Sequence, residues 1–74
     1  MKKKEREART AIYDNEELAR LIDLYVRGEL DRQILKRHLI DVMSYDELAK
    51  EVGYSLSWVK QHIHKAEKQL FKRI

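Results

Sequence analysis

The apolar residues of this chain recur every three or four positions, which is the period of an amphipathic helix. No segment alternates polar and apolar residues as a half-buried strand would. The pattern predicts four helical segments with inward-facing side chains at Leu18, Leu21, Ile22 and Tyr25; at Ile34, Leu35, His38, Leu39 and Val42; at Leu48, Ala49 and Val52; and at Val59, Ile63, Ala66 and Leu70. We therefore predict an all-α fold, a small three- or four-helix bundle.

Short polar signals indicate where these helices begin and end. Two pairs have the spacing of a capping box, in which each side chain accepts from the other residue's backbone N–H: Asp14 with Glu17, and Ser44 with Glu47. The other N-cap candidates are Asp31 and Ser55. Glycine reaches the left-handed conformation that commonly ends a helix, which predicts helix ends at Gly28 and Gly53.

Residues 44–70 have the layout of a helix-turn-helix, with a capped short helix, a turn at Gly53 and a longer second helix. If the second helix buries its aliphatic side, its opposite side is polar and basic. In a helix-turn-helix this side enters the major groove of DNA. It predicts base or groove contacts from Ser57, Lys60, Gln61 and His64, and phosphate contacts from Ser44, Lys50, Ser55, Lys65 and Lys68. The alternative is a lysine-rich face that is merely solvated.

Charge is distributed unevenly along the 74 residues. The chain has 16 basic and 13 acidic residues, for a formal net charge of +3. Residues 1–10 contain five basic against two acidic residues and residues 54–74 five against one, whereas residues 11–53 contain six against ten. A polyanion should therefore be attracted to one surface and repelled from another. Few phosphate contacts predict weak, strongly salt-dependent binding by a single copy.

Composition bounds the remaining possibilities. The length allows one domain with a modest core, predicted over residues 13–74. The absence of cysteine and of long apolar runs predicts a soluble, cytoplasmic protein without membrane contact. No nucleophile motif or phosphate loop is present, so we expect no enzyme and no cofactor. His62 and His64 are two residues apart and point in opposite directions on a helix, which argues against a metal site.

The segment 1–12 is charged and nearly devoid of apolar residues, which predicts a flexible basic arm. Such an arm could also lie along phosphates or enter a minor groove.

Three apolar residues of the last helix are not accounted for by DNA binding. Trp58 is expected to stack on His62, four residues later, and either to cover the core or to contact a protein. Phe71 is predicted to project away from Val59 and to need a cover, from residues 12–13, a second copy or another protein. Together with Leu56, these residues define an alternative protein-interaction surface.

Residues 31–70 resemble region four of bacterial sigma factors, and more closely the small ArpU-like phage and prophage transcriptional regulators that share that helix-turn-helix. The residues that carry the resemblance are Ile34–Leu35, Ser44, Glu47–Ala49, Val52–Ser55, Val59–Lys60 and Lys65–Ala66. The chain departs from the family at His62, where an aliphatic residue is usual and where Ile63 takes the buried role. Leu56, Ser57 and Trp58 stand where the family commonly has arginines.

The resemblance implies a DNA-binding transcription regulator of bacterial or phage origin. In sigma factors the module reads an upstream promoter element and contacts RNA polymerase and activators. We therefore expect double-stranded DNA as the main partner, with a homodimer suited to a palindromic site. The alternatives are a protein-interaction module that binds RNA polymerase or another regulator through Trp58 and Phe71, and a phage packaging subunit.

Overall fold

The computed structural model describes residues 10 and 12–74 of the chain. This range contains four helices: α1 (Asn15–Tyr25), α2 (Glu29–Leu39), α3 (Tyr45–Val52) and α4 (Leu56–Phe71). Residues 10 and 12–74 contain no strand, so the all-α prediction is confirmed. The predicted arm, residues 1–12, lies outside the described residues except for Thr10, which is buried, and Ile12, which is exposed.

The longest helix, α4, packs against each of the other three. Its predicted inward residues are fully buried: Val59, Ile63, Ala66 and Leu70. The other helices and the α1–α2 connection complete this core with Leu18, Ile22, Val26, Ile34, Leu35 and Leu48. Because α4 is surrounded on one side by the whole core, its rotation about its own axis is fixed, and so is the set of side chains that faces solvent.

Both capping boxes are formed. Ser44 and Glu47 exchange hydrogen bonds, with the Ser44 backbone N–H donating to the carboxylate over 2.8 Å and the Glu47 N–H donating to the hydroxyl over 3.2 Å. The pair Asp14 and Glu17 does the same at the start of α1. Gly53 ends α3 in the left-handed conformation, with φ 78° and ψ 21°. These predictions of helix ends are confirmed.

The connection between α1 and α2 differs from the prediction. Helix α1 ends at Tyr25, because Val26 leaves the helix in an extended conformation and is buried in the core. Gly28, with φ 91°, is the N-cap of α2 and does not close α1. Asp31 is therefore in the first turn of α2 and is not its N-cap, which leaves its carboxylate available for contacts with another helix.

Two residues predicted to face inward are exposed. Val42 lies beyond the end of α2, is 56% exposed and has a φ of 56°, which is costly for a β-branched residue. The chain turns here because the His38 Nδ1 donates to the Met43 carbonyl over 2.8 Å, and Met43 packs against the core instead. Tyr25 is 37% exposed, and the Arg73 guanidinium lies 5.8 Å from its ring centre.

Among residues 10 and 12–74, no helix combines the length and the hydrophobicity that crossing a bilayer requires. Within the same range, no three His, Asp or Glu side chains come together as a metal site would need.

Candidate functional site

The side of α4 opposite the core carries polar and basic residues, and all of them are exposed. These are Ser57, Lys60, Gln61, His64 and Lys68, which we call the outward stripe. Within the described part of the chain, neither Lys60 nor Lys68 forms an ion pair. The outward stripe thus presents two ammonium groups, an amide, a hydroxyl and an imidazole to solvent.

The two serines at the helix starts are also exposed. Ser55 accepts from the backbone N–H of Trp58 over 3.1 Å, and Ser44 accepts within its capping box. A hydroxyl that accepts in a cap keeps its own proton, so each serine is able to donate to an oxygen of a ligand. Lys50, in the last turn of α3, is exposed as well.

The capping box at Ser44 has an electrostatic consequence. The hydrogen bond from the Ser44 backbone N–H, with a smaller contribution from its hydroxyl, lowers the pKa of Glu47 below the ordinary value of 4.5. The carboxylate therefore stays ionised at the positive end of α3, where its charge favours the helix.

Three aromatic rings stack along one flank of α4. The Trp58 ring lies between Tyr54 and His62, with centroid distances of 4.0 Å and 3.9 Å and small interplanar angles of 12° and 23°. The predicted stacking of Trp58 on His62 is confirmed, whereas the pairing with Tyr54 was not anticipated. Trp58 is half-buried and packs against the core, so both faces of its ring are occupied within the monomer.

The stack continues into an acidic contact from α2. The His62 Nδ1 lies 2.8 Å from one carboxylate oxygen of Asp31, and the Lys65 Nζ lies 3.9 Å from the other. The Asp31 side chain is only 9% exposed, while that of Lys65 is 60% exposed. The ammonium of Lys65, predicted to contact phosphate, is therefore shared with a neighbouring carboxylate. We call Tyr54, Trp58, His62, Lys65 and Asp31 the stacked flank.

His64, a member of the outward stripe, contacts an aromatic residue of α3. Its ring meets that of Tyr45 edge-on at 6.2 Å, and Tyr45 in turn stacks on His38 at 4.9 Å. His64 remains exposed, so its imidazole is oriented by the start of α3 without being covered.

The three residues of the predicted protein-interaction surface are not brought together. Phe71 is half-buried and packs against the core, so at least part of the cover that it was predicted to need comes from the chain itself. It is thirteen residues from Trp58 on the same helix, about 20 Å along the axis. Leu56 alone of the three is exposed, at 38%.

The basic residues of α2 differ from Lys60 and Lys68 of α4 because they have acidic partners. Lys36 pairs with Asp23 at 2.7 Å, and Arg37 pairs with Glu51 of α3. The hydrogen bond and charge of Glu51 raise the pKa of Arg37. Exposed basic side chains without an ion pair among the described residues also lie outside α4, at Arg20, Arg27, Lys50, Lys72 and Arg73.

The comparison with known protein families agrees with the helix-turn-helix seen in the structure. The family model described as Sigma-70, region 4 matches residues 29–70, which comprise α2, α3 and nearly all of α4. No curated protein and no solved structure gives a significant match. A helix-turn-helix of this family supports a DNA-binding, transcription-related function. Since the match covers more than half of the chain, the protein belongs to the sigma-70 region 4 family.

Proposed function

We propose that this protein is a sequence-specific DNA-binding transcription regulator of bacterial or phage origin, of the ArpU-like kind, with residues 55–70 as its recognition helix. The observation that carries the proposal is the outward stripe, which is exposed while the opposite side of α4 is fully buried. An insertion of α4 into the major groove would bring this stripe to the bases without disturbing the core.

Within the outward stripe, the residues nearest the start of α4 are assigned to base edges. Gln61 has an amide that pairs in bidentate fashion with adenine, and Ser57 has a hydroxyl that accepts or donates. Lys60 and His64 lie beside them on exposed positions of the same helix. Tyr45 orients the imidazole of His64 from α3, which favours a defined groove contact over a mobile one.

The phosphate contacts are assigned to the borders of the stripe. Ser44 and Ser55 offer hydroxyl protons at the starts of α3 and α4. The dipole of α4 also favours an anion there, whereas the first turn of α3 already contains Asp46 and Glu47. Lys50 and Lys68 are exposed and supply positive charge. Lys65 is the weakest of these candidates, because Asp31 offsets part of its charge.

A single copy offers few phosphate contacts, so we propose that two copies bind together on a palindromic site. The basic segment 1–12 would add charge if it lay along the backbone. A contact with RNA polymerase or another regulator is the alternative role, but the occupied faces of Trp58 and the packing of Phe71 give it less support.

The test combines Lys60→Glu with Gln61→Ala in the full chain. A binding site is first selected from a random pool of duplexes at two salt concentrations. We expect the double variant to bind the selected site about 100-fold more weakly, because it loses one bidentate base contact and reverses one charge. Its helical circular dichroism should be unchanged, since both residues are exposed.

Arg20→Glu is the matched control. It makes the same change of net charge on an exposed position of α1, so it should reduce affinity only slightly. Unchanged operator binding by the double variant would contradict the proposal. Equal losses of affinity in the double variant and in Arg20→Glu would mean that the binding is only a non-specific attraction between a basic protein and DNA.

A further inference from the structure

The first residue of α4 is an exposed leucine. Leu56 is 38% exposed, whereas the other apolar residues of this helix are buried or half-buried. Its neighbours Ser57 and Lys60 belong to the outward stripe. An apolar side chain therefore lies at the end of the helix that a helix-turn-helix points most directly at the bases.

The position of Leu56 is fixed by contacts on both sides of it. The preceding residue, Ser55, caps the helix through the Trp58 N–H, and its carbonyl accepts from the Val59 N–H over 3.1 Å. Val59 is fully buried three residues later. Because cap and core hold this first turn, Leu56 cannot rotate into the interior, and its side chain stays at the surface beside Ser57.

We propose that Leu56 recognises thymine by contact with its 5-methyl group, an inference that rests on the proposed DNA binding. In the major groove, thymine alone among the four bases presents a methyl group, and apolar side chains read it by exclusion of water. The aliphatic stem of Lys60, one turn further along the same helix, widens the apolar contact while its ammonium stays available to the groove.

The spacing of Leu56 and Gln61 along α4 bears on where the bases that they read lie in the binding site. Leu56 and Gln61 are five residues apart, which corresponds to about 7.5 Å along the helix axis. This distance is about two steps of 3.4 Å along a DNA strand. Because the two side chains are also about 140° apart around the helix, the thymine read by Leu56 should lie within a few base pairs of the adenine read by Gln61, at an offset that need not be two.

The experiment replaces each thymine of the selected site, one at a time, with deoxyuridine, which lacks only the methyl group. Affinities of the full chain are measured by electrophoretic mobility shift at one salt concentration. At one position the wild type should bind about fourfold more weakly, the effect of removing one buried methyl group. Leu56→Ala should bind the thymine and deoxyuridine duplexes equally, because the contact is already absent.

Two further variants separate this role from general effects. Leu56→Met keeps an apolar side chain of similar size and should keep the methyl dependence. Ser57→Ala changes the adjacent position and should keep it as well, even if overall affinity falls. Far-ultraviolet circular dichroism checks that each variant folds.

Different results would contradict the role of Leu56 and the proposed DNA binding. Specific binding without a methyl-sensitive position, or equal sensitivity in wild type and Leu56→Ala, would overturn the assignment of Leu56 and leave DNA binding intact. Loss of capture of a protein partner in Leu56→Ala, with methyl dependence unchanged, would assign Leu56 to the alternative surface. Binding without any preferred sequence, or no binding to duplexes, would overturn base recognition as a whole.

Discussion

The outward stripe and the α4 residues of the stacked flank lie on the same helix and include similar residue types, yet their surroundings are opposite. Each includes a histidine and at least one lysine. On the outward stripe, Lys60, Gln61 and Lys68 extend into solvent. On the stacked flank, His62 is held between Trp58 and the buried carboxylate of Asp31, and Lys65 is drawn toward the same group.

The difference teaches that a polar residue on a recognition helix has to be judged by its tertiary neighbours as well as by its angle on the helix. The stacked flank joins α4 to the turn through Tyr54 and to the first turn of α2 through Asp31. Its polar groups stabilise the orientation of α4. In the outward stripe, His64 contacts Tyr45, and the other side chains are exposed without a contact, within the described residues, to another helix that would hold them.

The largest expected difference between the stacked flank and the outward stripe is in the free energy of unfolding. Trp58→Ala removes a half-buried ring and two stacking contacts, so the free energy of unfolding should fall by about 2–3 kcal/mol. Gln61→Ala, on the outward stripe, should change it by less than about 0.5 kcal/mol. Urea denaturation followed by circular dichroism measures both, and equal values would mean that the stacked flank has no structural role.

Removal of the acidic contact should have the next largest effect. Asp31→Ala leaves His62 and Lys65 without their carboxylate and should lower the free energy of unfolding by about 1–2 kcal/mol. Asp31→Asn keeps an oxygen that accepts from His62 and should recover much of the loss. Asp46→Ala, at an exposed position in the first turn of α3, serves as the control and should cost only about 0.5 kcal/mol from the lost interaction with the helix dipole. A tolerated Asp31→Ala would show that the contact does not fix α4.

The two lysines should also differ in their contribution to DNA binding. Lys68→Ala removes an exposed charge that has no acidic partner within the described residues, so the salt dependence of affinity should decrease by about one counterion. Lys65→Ala should decrease it less, because Asp31 already offsets part of that charge. The slope of log affinity against log salt for each variant is the measurement, and a larger change for Lys65 would reverse the comparison.

The smallest predicted effect concerns pH. Because the pKa of Glu47 is lowered in the folded protein, its ionised form stabilises the fold above its unfolded pKa, near 4.5. This contribution is lost as the pH falls through the lower, folded pKa. Between about pH 5 and pH 3, wild type should therefore lose more stability than Glu47→Gln, whose side chain does not titrate. Parallel pH profiles would mean that the capping box does not depend on charge.

The sequence predicted most reliably what depends on neighbours in the chain. Ser44, Glu47, Gly53 and Ser55 cap or end their helices through contacts within three or four residues, and the apolar spacing of α4 identified its buried side. The proposed DNA contacts on α4 follow from that side, and Ser44 and Lys50 are added from the start and the last turn of α3. They are exposed as a group, but exposure leaves their individual roles as predictions.

The errors concern residues whose roles depend on distant parts of the chain. Asp31 is of a residue type that often caps helices, but its side chain contacts His62, which is thirty-one residues away in the sequence. Val42 fits the apolar period of α2, yet the helix ends earlier because Met43 is brought into the core. The contact between the buried Asp31 and His62 leaves no pattern in the neighbouring sequence, so it is visible only when the packing of the two helices is known.

The sandwiched position of Trp58 gives the protein an intrinsic optical probe. It is the only tryptophan of the chain, so its emission comes from a single environment. Tyr54 and His62 lie against its ring at 4.0 Å and 3.9 Å. Trp58 also packs against the core, so its emission should respond to a change in the packing of the first turns of α4, which allows this helix to be followed in solution without an attached dye.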